Sequence, residues 1–227
     1  MTKEGLSRRL VQSGLLGVEV VQRAVELTDQ SMAGQLRLSG EPAAEHQYEV
    51  AHLLYEIGQP SSVIAAGAMH DLPEDARVSI FQIVRQFGNE IAFLVDGLNF
   101  DEEFSELEES EKTFWYYVKL YWFAQRDPRV ILIKLADRLH YVRTKSHMTE
   151  ESRRMHAQET LDVLLPMADA VCRRMYGGLE PVRPWIEELQ RLSSEDYQES
   201  NHPMVSFFTR AELRTITPIR YSYQGVG

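Results

Sequence analysis

Residues 61–75 read SSVIAAGAMHDLPED, and this stretch indicates both the type of fold and the chemistry to look for. The two serines that follow Pro60 can accept hydrogen bonds from unpaired backbone amides, which predicts the start of a helix. Apolar and small residues then recur at helical spacing as far as His70. We therefore expect His70 to lie at the inner end of this helix.

The last six residues of the stretch, His70 to Asp75, place one imidazole and three carboxylates at spacings that suit metal-assisted phosphate hydrolysis. Because Pro73 disfavours helical geometry in the residue before it, we predict that the helix ends near Asp71. A tight turn would then bring Glu74 and Asp75 back toward His70. A His-Asp pair is common by chance, so further metal ligands must be sought elsewhere in the chain.

Helical spacing dominates the rest of the sequence. Apolar residues recur at steps of three and four in seven further segments: residues 15–32, 48–58, 79–87, 90–98, 129–144, 150–175 and 185–192. Strand-like alternation is not evident before residue 200. We predict an all-α fold in which residues 1–195 form one domain and residues 196–227 form a C-terminal appendage.

The composition limits the classes of function. A formal net charge of −10 disfavours general nucleic-acid binding. The single cysteine, Cys172, excludes an internal disulfide framework and a cysteine-rich zinc site, so histidines and carboxylates must hold any metal. Since no apolar run approaches membrane-spanning length and the start does not resemble a signal region, we expect a cytoplasmic protein without membrane contact.

Asp137 is the first candidate ligand outside the opening stretch. It shares a helical stripe with Val130 and Ile133 and should therefore point inward. A buried carboxylate costs several kcal/mol unless it finds a cation or dense hydrogen bonding. A salt bridge to Arg138 or Arg143 is the alternative interpretation, and a metal ion is the one we favour.

His46 is the second distant candidate, at the start of the helix that follows the break at residues 40–42. Taken alone, it would more often cap a helix or face solvent than bind a metal. Together with His70, Asp71 and Asp137 it completes a mixed nitrogen and oxygen set that leaves coordination positions for water and substrate. Such a set suits manganese, iron or cobalt better than a closed structural zinc site.

Glu74 and Asp75 are adjacent to these candidate ligands but are not needed as ligands. A carboxylate in such a position can take a proton from an attacking water, so we predict a catalytic role for both. The alternative is a solvated turn whose acids lie at the start of a helix.

Several segments resemble the hydrolase domain of RelA/SpoT-type alarmone enzymes, which belong to the HD-domain superfamily. The resemblance runs in order over residues 15–192 and is strongest in these segments: residues 37–42 with His46, 70–75, 87–97, 129–140 and 157–161. It implies an HD-type helical bundle and a small, stand-alone alarmone hydrolase. It also implies one Mn²⁺ ion, or another divalent transition metal, with four ligands: His46, His70, Asp71 and Asp137.

The reaction implied by the resemblance is removal of the 3′-pyrophosphate from ppGpp or pppGpp, with Glu74 and Asp75 as the catalytic acids. The resemblance also assigns five residues to substrate binding: Arg37, Ser39, Lys134, Tyr141 and Thr144. Departures from the family pattern lie on the substrate side: Tyr141 replaces a usual asparagine, Ala43 a tyrosine, Leu38 a lysine, and residues 99–100 a Thr-Lys pair. We therefore expect nucleotide recognition to differ more than the metal chemistry.

Two other functions remain as alternatives. The first is hydrolysis of another nucleotide, such as an adenosine alarmone or NADPH, and the second is a non-catalytic protein that senses a nucleotide or binds a partner. The seven aromatic residues within 114–123 are expected to form core, and they are also a candidate surface for a homo-oligomer. Four histidines are assigned no chemistry: His52, His140, His147 and His156.

Overall fold

The computed structural model describes residues 1–100, 106–176 and 180–198. Apart from an isolated bridge between Leu36 and Pro42, the regular elements within these residues are helices. The predicted all-α class is therefore confirmed. None of the described helices combines the length and the apolar character needed to cross a membrane.

Backbone contacts divide the chain into two compact units at Met148 and Thr149. The helices of the first unit are α1 (Lys3–Gln12), α2 (Val18–Ser31), α3 (Ala43–Glu56), α4 (Ser61–Ala68), α5 (Leu72–Asp75), α6 (Ile80–Asp96), α7 (Glu109–Ala124) and α8 (Arg129–Arg143). A short 3₁₀ helix, Lys145–His147, follows α8. The candidate site residues predicted from the sequence all lie in this unit.

Helix α4 is the centre of the first unit and packs against α2, α3, α6 and α8. All six of its residues from Val63 to Ala68 are buried. Small side chains allow neighbouring helices to approach closely: a Cβ atom added to Gly67 would lie 2.4 Å from Leu54 Cδ1 on α3. This close packing brings the start of α3 and the end of α4 to one place.

The stretch of residues 61–75 differs from its prediction in one detail. Helix α4 starts at Ser61 as predicted, but it ends at Ala68, before the predicted end at Asp71. The residues after His70 form the one-turn helix α5, where we predicted a tight turn. Pro73 is compatible with this helix because it lies in the first turn, where an amide hydrogen is not needed.

The breaks at glycine and proline fall close to their predicted positions. The two helices expected in residues 79–98 form α6, which changes direction at Gly88, a residue with φ of 84°. Glycine adopts this left-handed conformation without a steric penalty. Helix α8 begins directly after Pro128 and spans the segment predicted for it.

The second unit is described over residues 149–176 and 180–198. It contains α9 (Glu150–Gln158), a π-helical segment (Glu159–Leu164), α10 (Leu165–Tyr176), a 3₁₀ helix (Glu180–Val182) and α11 (Arg183–Ser194). The predicted boundary between a domain of residues 1–195 and an appendage of residues 196–227 stays a prediction, because residues 199–227 lie outside the described residues.

The aromatic segment of residues 114–123 belongs to α7, and all seven of its aromatic side chains are buried or half-buried. Tyr117 and Phe123 are almost completely buried. This burial agrees with the expected core role. The homo-oligomer through this helix stays a prediction.

Candidate metal centre

Three elements of the first unit supply the four predicted ligands. His46 lies on α3, His70 and Asp71 follow the end of α4, and Asp137 lies on α8. Because α3, α4 and α8 pack against one another, residues up to 91 positions apart in the sequence come together. His46 and His70 are buried, whereas the two aspartates are half-buried.

The ligand atoms of these residues converge. His46 Nε2 lies 3.2 Å from Asp137 Oδ1 and 3.6 Å from Asp71 Oδ2. His70 Nε2 lies 3.1 Å from Asp71 Oδ2 and 3.7 Å from Asp137 Oδ1. One ligand atom from each of His46, His70 and Asp137 lies within 4.8 Å of the other two. Two nitrogens and one carboxylate oxygen therefore form a compact group, and Asp71 Oδ2 lies beside both nitrogens.

The hydrogen bonds of His70 show which of its nitrogens is available to a metal. Its Nδ1 lies 2.9 Å from the carbonyl oxygen of Gly67, and a carbonyl can only accept, so Nδ1 carries the proton and donates it. For a neutral ring, Nε2 then presents a lone pair. This buried atom has no hydrogen-bond partner within the described part of the chain. A divalent cation would satisfy it, so the residues present fit a metal ion.

Each aspartate is oriented by a hydrogen bond to its Oδ2 atom. Gln47 Nε2 donates to Asp71 Oδ2 over 3.0 Å, and Lys134 Nζ donates to Asp137 Oδ2 over 2.8 Å. Asp137 consequently keeps its Oδ1 directed at the two histidines. Partners of this kind hold metal ligands in place in many metal sites.

The electrostatics of the cluster favour positive charge. Burial by itself lowers the pKa of His70, but the charges of Asp71 and Asp137 outweigh burial and raise that pKa to about 10. Burial opposes ionisation of Asp71, yet the charge of His70 lowers its pKa to about 2. Burial likewise opposes ionisation of Asp137, and the charge of Lys134 brings its pKa well below the usual value. The two carboxylates thus remain ionised beside the histidine nitrogens.

The predicted catalytic acids lie on α5, directly after the ligands. Both side chains reach solvent. The backbone N–H of Phe100 donates to Glu74 Oε1, which anchors that carboxylate. Partial burial raises the pKa of Glu74, and partial burial with the charges of Asp71 and Glu74 raises the pKa of Asp75 to about 6. Both groups are therefore better proton acceptors than an ordinary surface acid.

The structure separates the five predicted substrate residues into two groups. Arg37 reaches the site, with Nη1 3.3 Å from His140 Nδ1, and Lys134 contacts Asp137. Ser39 instead donates its hydroxyl to Glu41. Thr144 donates its hydroxyl to the carbonyl oxygens at the end of α8, and the ring of Tyr141 lies 5.6 Å from Arg138 Cζ. Assignment of all five to substrate binding stays a prediction.

Three residues near the ligands were missed from the sequence. His140, to which we assigned no chemistry, lies with Nδ1 2.7 Å from His46 Nδ1. Burial, with the charges of His46 and Arg37, lowers the pKa of His140 to about 3, and burial also lowers that of His46. Gln47 orients Asp71, and Asn99 donates to the carbonyl oxygen of His70 over 2.6 Å.

One of these residues had a usable signal in the sequence. His140 follows Asp137 by three positions, so the same helical stripe carries both. Gln47 and Asn99 had no such signal in the sequence. A polar residue that supports a ligand cannot be told from any other polar residue near a helix end until the contacts between helices are known.

Comparisons with known proteins agree with this geometry. Residues 24–171 match the family described as HD domain. Over 175 residues the chain is 36% identical to a GTP pyrophosphokinase of Myxococcus xanthus, covering 76% of this chain and 22% of that protein. Over 137 residues it is 40% identical to a probable guanosine-3′,5′-bis(diphosphate) 3′-pyrophosphohydrolase of a Synechocystis strain, covering 60% of this chain and 18% of that protein.

The fold also matches a solved structure. A metazoan orthologue of SpoT, described as hydrolysing ppGpp, superposes with a TM-score of 0.58 at 22% identity, covering 76% of this chain and 94% of that chain. The chain spans about a fifth of the length of the curated relatives it matches. The predicted resemblance to RelA/SpoT-type proteins is confirmed.

Proposed function

The chain belongs to the HD-domain family, and we propose that it is a divalent-metal-dependent hydrolase that removes the 3′-pyrophosphate of guanosine alarmones. The proposed products are GDP or GTP and pyrophosphate. We propose Mn²⁺ as the cation, because two imidazole nitrogens with two carboxylates suit this metal among others.

The observation that carries this proposal is the convergence of His46, His70 and Asp137 around Nε2 of His70, a buried atom that makes no hydrogen bond within the described residues. Asp71 lies within ion-pair distance of both histidines and completes a four-residue set. A structural metal would need only these ligands. The adjacent carboxylates of α5 favour a catalytic site over a structural one.

A bound divalent cation supplies positive charge that polarises a phosphoryl oxygen and makes a nearby water more acidic. The chain itself contributes the proton acceptors. Asp75, with its pKa raised to about 6, is still mostly ionised at neutral pH and can take a proton from the attacking water. Glu74 is held beside it by the Phe100 N–H. The oxygen of the attacking water would bond to phosphorus as the bond between phosphorus and the 3′-oxygen of the ribose breaks. The proton taken up by the carboxylate would then be returned to the 3′-oxygen, which leaves as a hydroxyl.

The name of the Synechocystis relative supports a 3′-pyrophosphate of guanosine as the substrate. A second candidate is another nucleotide, such as an adenosine alarmone or NADPH. The observation in its favour is Tyr141, whose half-buried aromatic ring lies on α8 one turn after Asp137, where an asparagine is usual in the family. An aromatic ring and a short amide would not recognise the same base edge.

The test is to incubate the Mn²⁺-loaded chain with ppGpp and to quantify GDP and pyrophosphate, together with a panel of nucleotides ranked by kcat/KM. We expect ppGpp to rank first. Another nucleotide in first place would favour the second candidate, and no product from any nucleotide would contradict the proposed function.

The double variant E74Q/D75N separates a catalyst from a binding protein. Loss of proton transfer should lower kcat by about 10²–10⁴-fold, with cation affinity retained. The matched control is E108Q/E109Q, which neutralises two exposed acids at the start of α7 and should keep wild-type kcat. A cellular phenotype that is rescued equally by wild type and by E74Q/D75N would instead support a non-catalytic role.

A further inference from the structure

One nitrogen atom of His140 contacts two residues with different roles in the proposed function, a metal ligand and a predicted substrate-binding residue. His140 Nδ1 lies 2.7 Å from Nδ1 of His46, a metal ligand, and 3.3 Å from Nη1 of Arg37, a predicted substrate residue. His140 is half-buried on α8, three residues after Asp137. Its position therefore connects the ligand cluster to the loop that carries Arg37.

For neutral histidine rings, one arrangement of protons satisfies both contacts. A guanidinium can only donate, so His140 Nδ1 must present its lone pair to Arg37. The proton in the 2.7 Å contact must then be on His46 Nδ1, because two lone pairs facing each other at that distance would repel. For a neutral His46 ring, Nε2 is left without a proton.

The consequence appears on the other side of the His46 ring. Nε2 faces Asp137 Oδ1 at 3.2 Å and Asp71 Oδ2 at 3.6 Å. A lone pair that faces two carboxylate oxygens is repelled by them unless a cation lies between. The contact with His140 thus selects the form of His46 that binds a metal and opposes the form that would merely donate a hydrogen bond to a carboxylate.

The backbone around Arg37 is suited to hold this contact. The Arg37 N–H donates to the carbonyl oxygen of Glu41, and the Ala43 N–H donates to that of Gln35, each over 2.9 Å. These bonds close the loop of residues 35–42 directly before α3. The guanidinium therefore starts from a fixed backbone position next to the helix that carries His46.

We propose that His140 is a positioning residue that fixes the tautomer and ring orientation of His46, and that Arg37 is the donor that makes His140 an acceptor. This inference rests on the metal site of the proposed function. It adds a role for two residues that need not touch the cation themselves. Hydrogen-bond partners of ligating histidines commonly change metal affinity by about 10–100-fold.

The experiment measures Mn²⁺ affinity directly, by titration of the metal-free full chain with detection of free Mn²⁺ by electron paramagnetic resonance. We expect H140L to bind Mn²⁺ about 10–100-fold more weakly than wild type. H140Q should remain within about threefold of wild type, because its amide oxygen can accept from both His46 and Arg37. Thermal unfolding of the metal-free variants checks that they fold.

The matched control is H52L. His52 lies on α3, is as buried as His46, and has an arginine contact of the same length, 3.3 Å from its Nε2 to Arg9 Nη1. We expect H52L to keep the wild-type Mn²⁺ affinity. An affinity loss in H52L equal to that in H140L would overturn the inference, because any buried histidine would then have the same effect.

Arg37 gives a second measurement that leaves both rings intact. R37Q keeps an N–H donor without the charge, whereas R37L removes both, so R37L should bind Mn²⁺ several-fold more weakly than R37Q. Equal affinities of R37L and R37Q, or of H140L and wild type, would overturn the inference while leaving the proposed function intact. A wild-type chain that binds no Mn²⁺ would overturn the proposed function itself.

Discussion

Helix α3 buries one histidine near its start and another in its second half, and the two differ in the carboxylates that face them. His46 and His52 are equally buried, each with 7% of its surface exposed. His46 Nε2 faces two carboxylates delivered by other segments of the fold. His52 Nε2 lies 3.2 Å from Glu56, one turn along its own helix. Residue type and burial are therefore the same, and the carboxylates supplied by distant segments distinguish His46 from His52.

The carboxylates at the two ends differ in exposure, which explains the difference in chemistry. The side chains of Asp137 and Asp71 are 14% and 29% exposed, whereas that of Glu56 is 52% exposed. An exposed carboxylate is hydrated and needs no partner, while a largely buried one needs a cation or dense hydrogen bonding. The carboxylates at the start of α3 are therefore stabilised by a nearby cation, whereas the carboxylate in its second half is stabilised by water.

Substitution of Asp137 is expected to have the largest effect, on both the free energy of unfolding and Mn²⁺ binding. D137L leaves the ammonium of Lys134, whose side chain is only 15% exposed, without its partner, so we expect a loss of up to about 3–5 kcal/mol in the free energy of unfolding of the metal-free chain. Metal binding should be lost as well. Urea unfolding and Mn²⁺ titration measure the two effects.

The double variant K134M/D137L sharpens this prediction. It replaces the whole ion pair by apolar groups of similar size, so stability should return toward the wild-type value while Mn²⁺ binding stays absent. A second buried pair, Lys119 and Asp96 with Nζ and Oδ1 2.9 Å apart, provides the control. D96L should destabilise the chain without changing Mn²⁺ affinity, and a D137L chain as stable as wild type would refute the argument from burial.

The next prediction compares Mn²⁺ affinity after the same substitution at each end of α3. H46L removes one of four ligands, so we expect Mn²⁺ affinity to fall by at least about 100-fold, more than for any partner of a ligand. H52L, the same substitution six residues later, should leave the affinity unchanged. Mn²⁺ titration of both variants is the measurement, and similar affinities in the two would break the comparison.

A smaller effect is expected at Gln47, which follows His46 and is almost fully buried. Q47L removes the N–H that orients Asp71, so Mn²⁺ affinity should fall by about tenfold. Stability should change little, since the variant also removes Gln47 Oε1, a buried atom with no partner in the described residues. Q30L, which removes an exposed amide contact to Glu26, is the control. An unchanged affinity in Q47L would show that Asp71 needs no such support.

The comparison also shows what the sequence could reveal. The all-α class follows from local spacing, and so does the position of α8. Asp137 could be proposed as a ligand from its helical stripe and His46 from the ligand set that it completes, and the resemblance to a known family then implied the same residues. Helical spacing alone would not have separated His46 from His52, since both lie among apolar residues on one helix.

The remaining contacts depend on packing between distant segments. His140 contacts His46, which is 94 residues away in the sequence, and Arg37, which is 103 residues away. No local sequence pattern predicts contacts between residues so far apart. The structure pairs Lys134 with Asp137, where we had considered only Arg138 and Arg143 as side-chain partners in a salt bridge. The end of α4 was misplaced because Pro73 fits the first turn of a new helix as well as it fits a turn.

The smallest effect is the stability of H52L, and it tests the inactive end of α3. His52 Nδ1 is buried without a partner in the described residues, so the native histidine already bears a desolvation cost. Leucine removes that cost, and both former partners, Arg9 and Glu56, are exposed and can be hydrated instead. We therefore expect the free energy of unfolding to change by less than about 1 kcal/mol. A loss several times larger in urea unfolding would mean that the contacts of His52 contribute as much stability as those of His46, and the carboxylates from distant segments would no longer distinguish the two ends of α3.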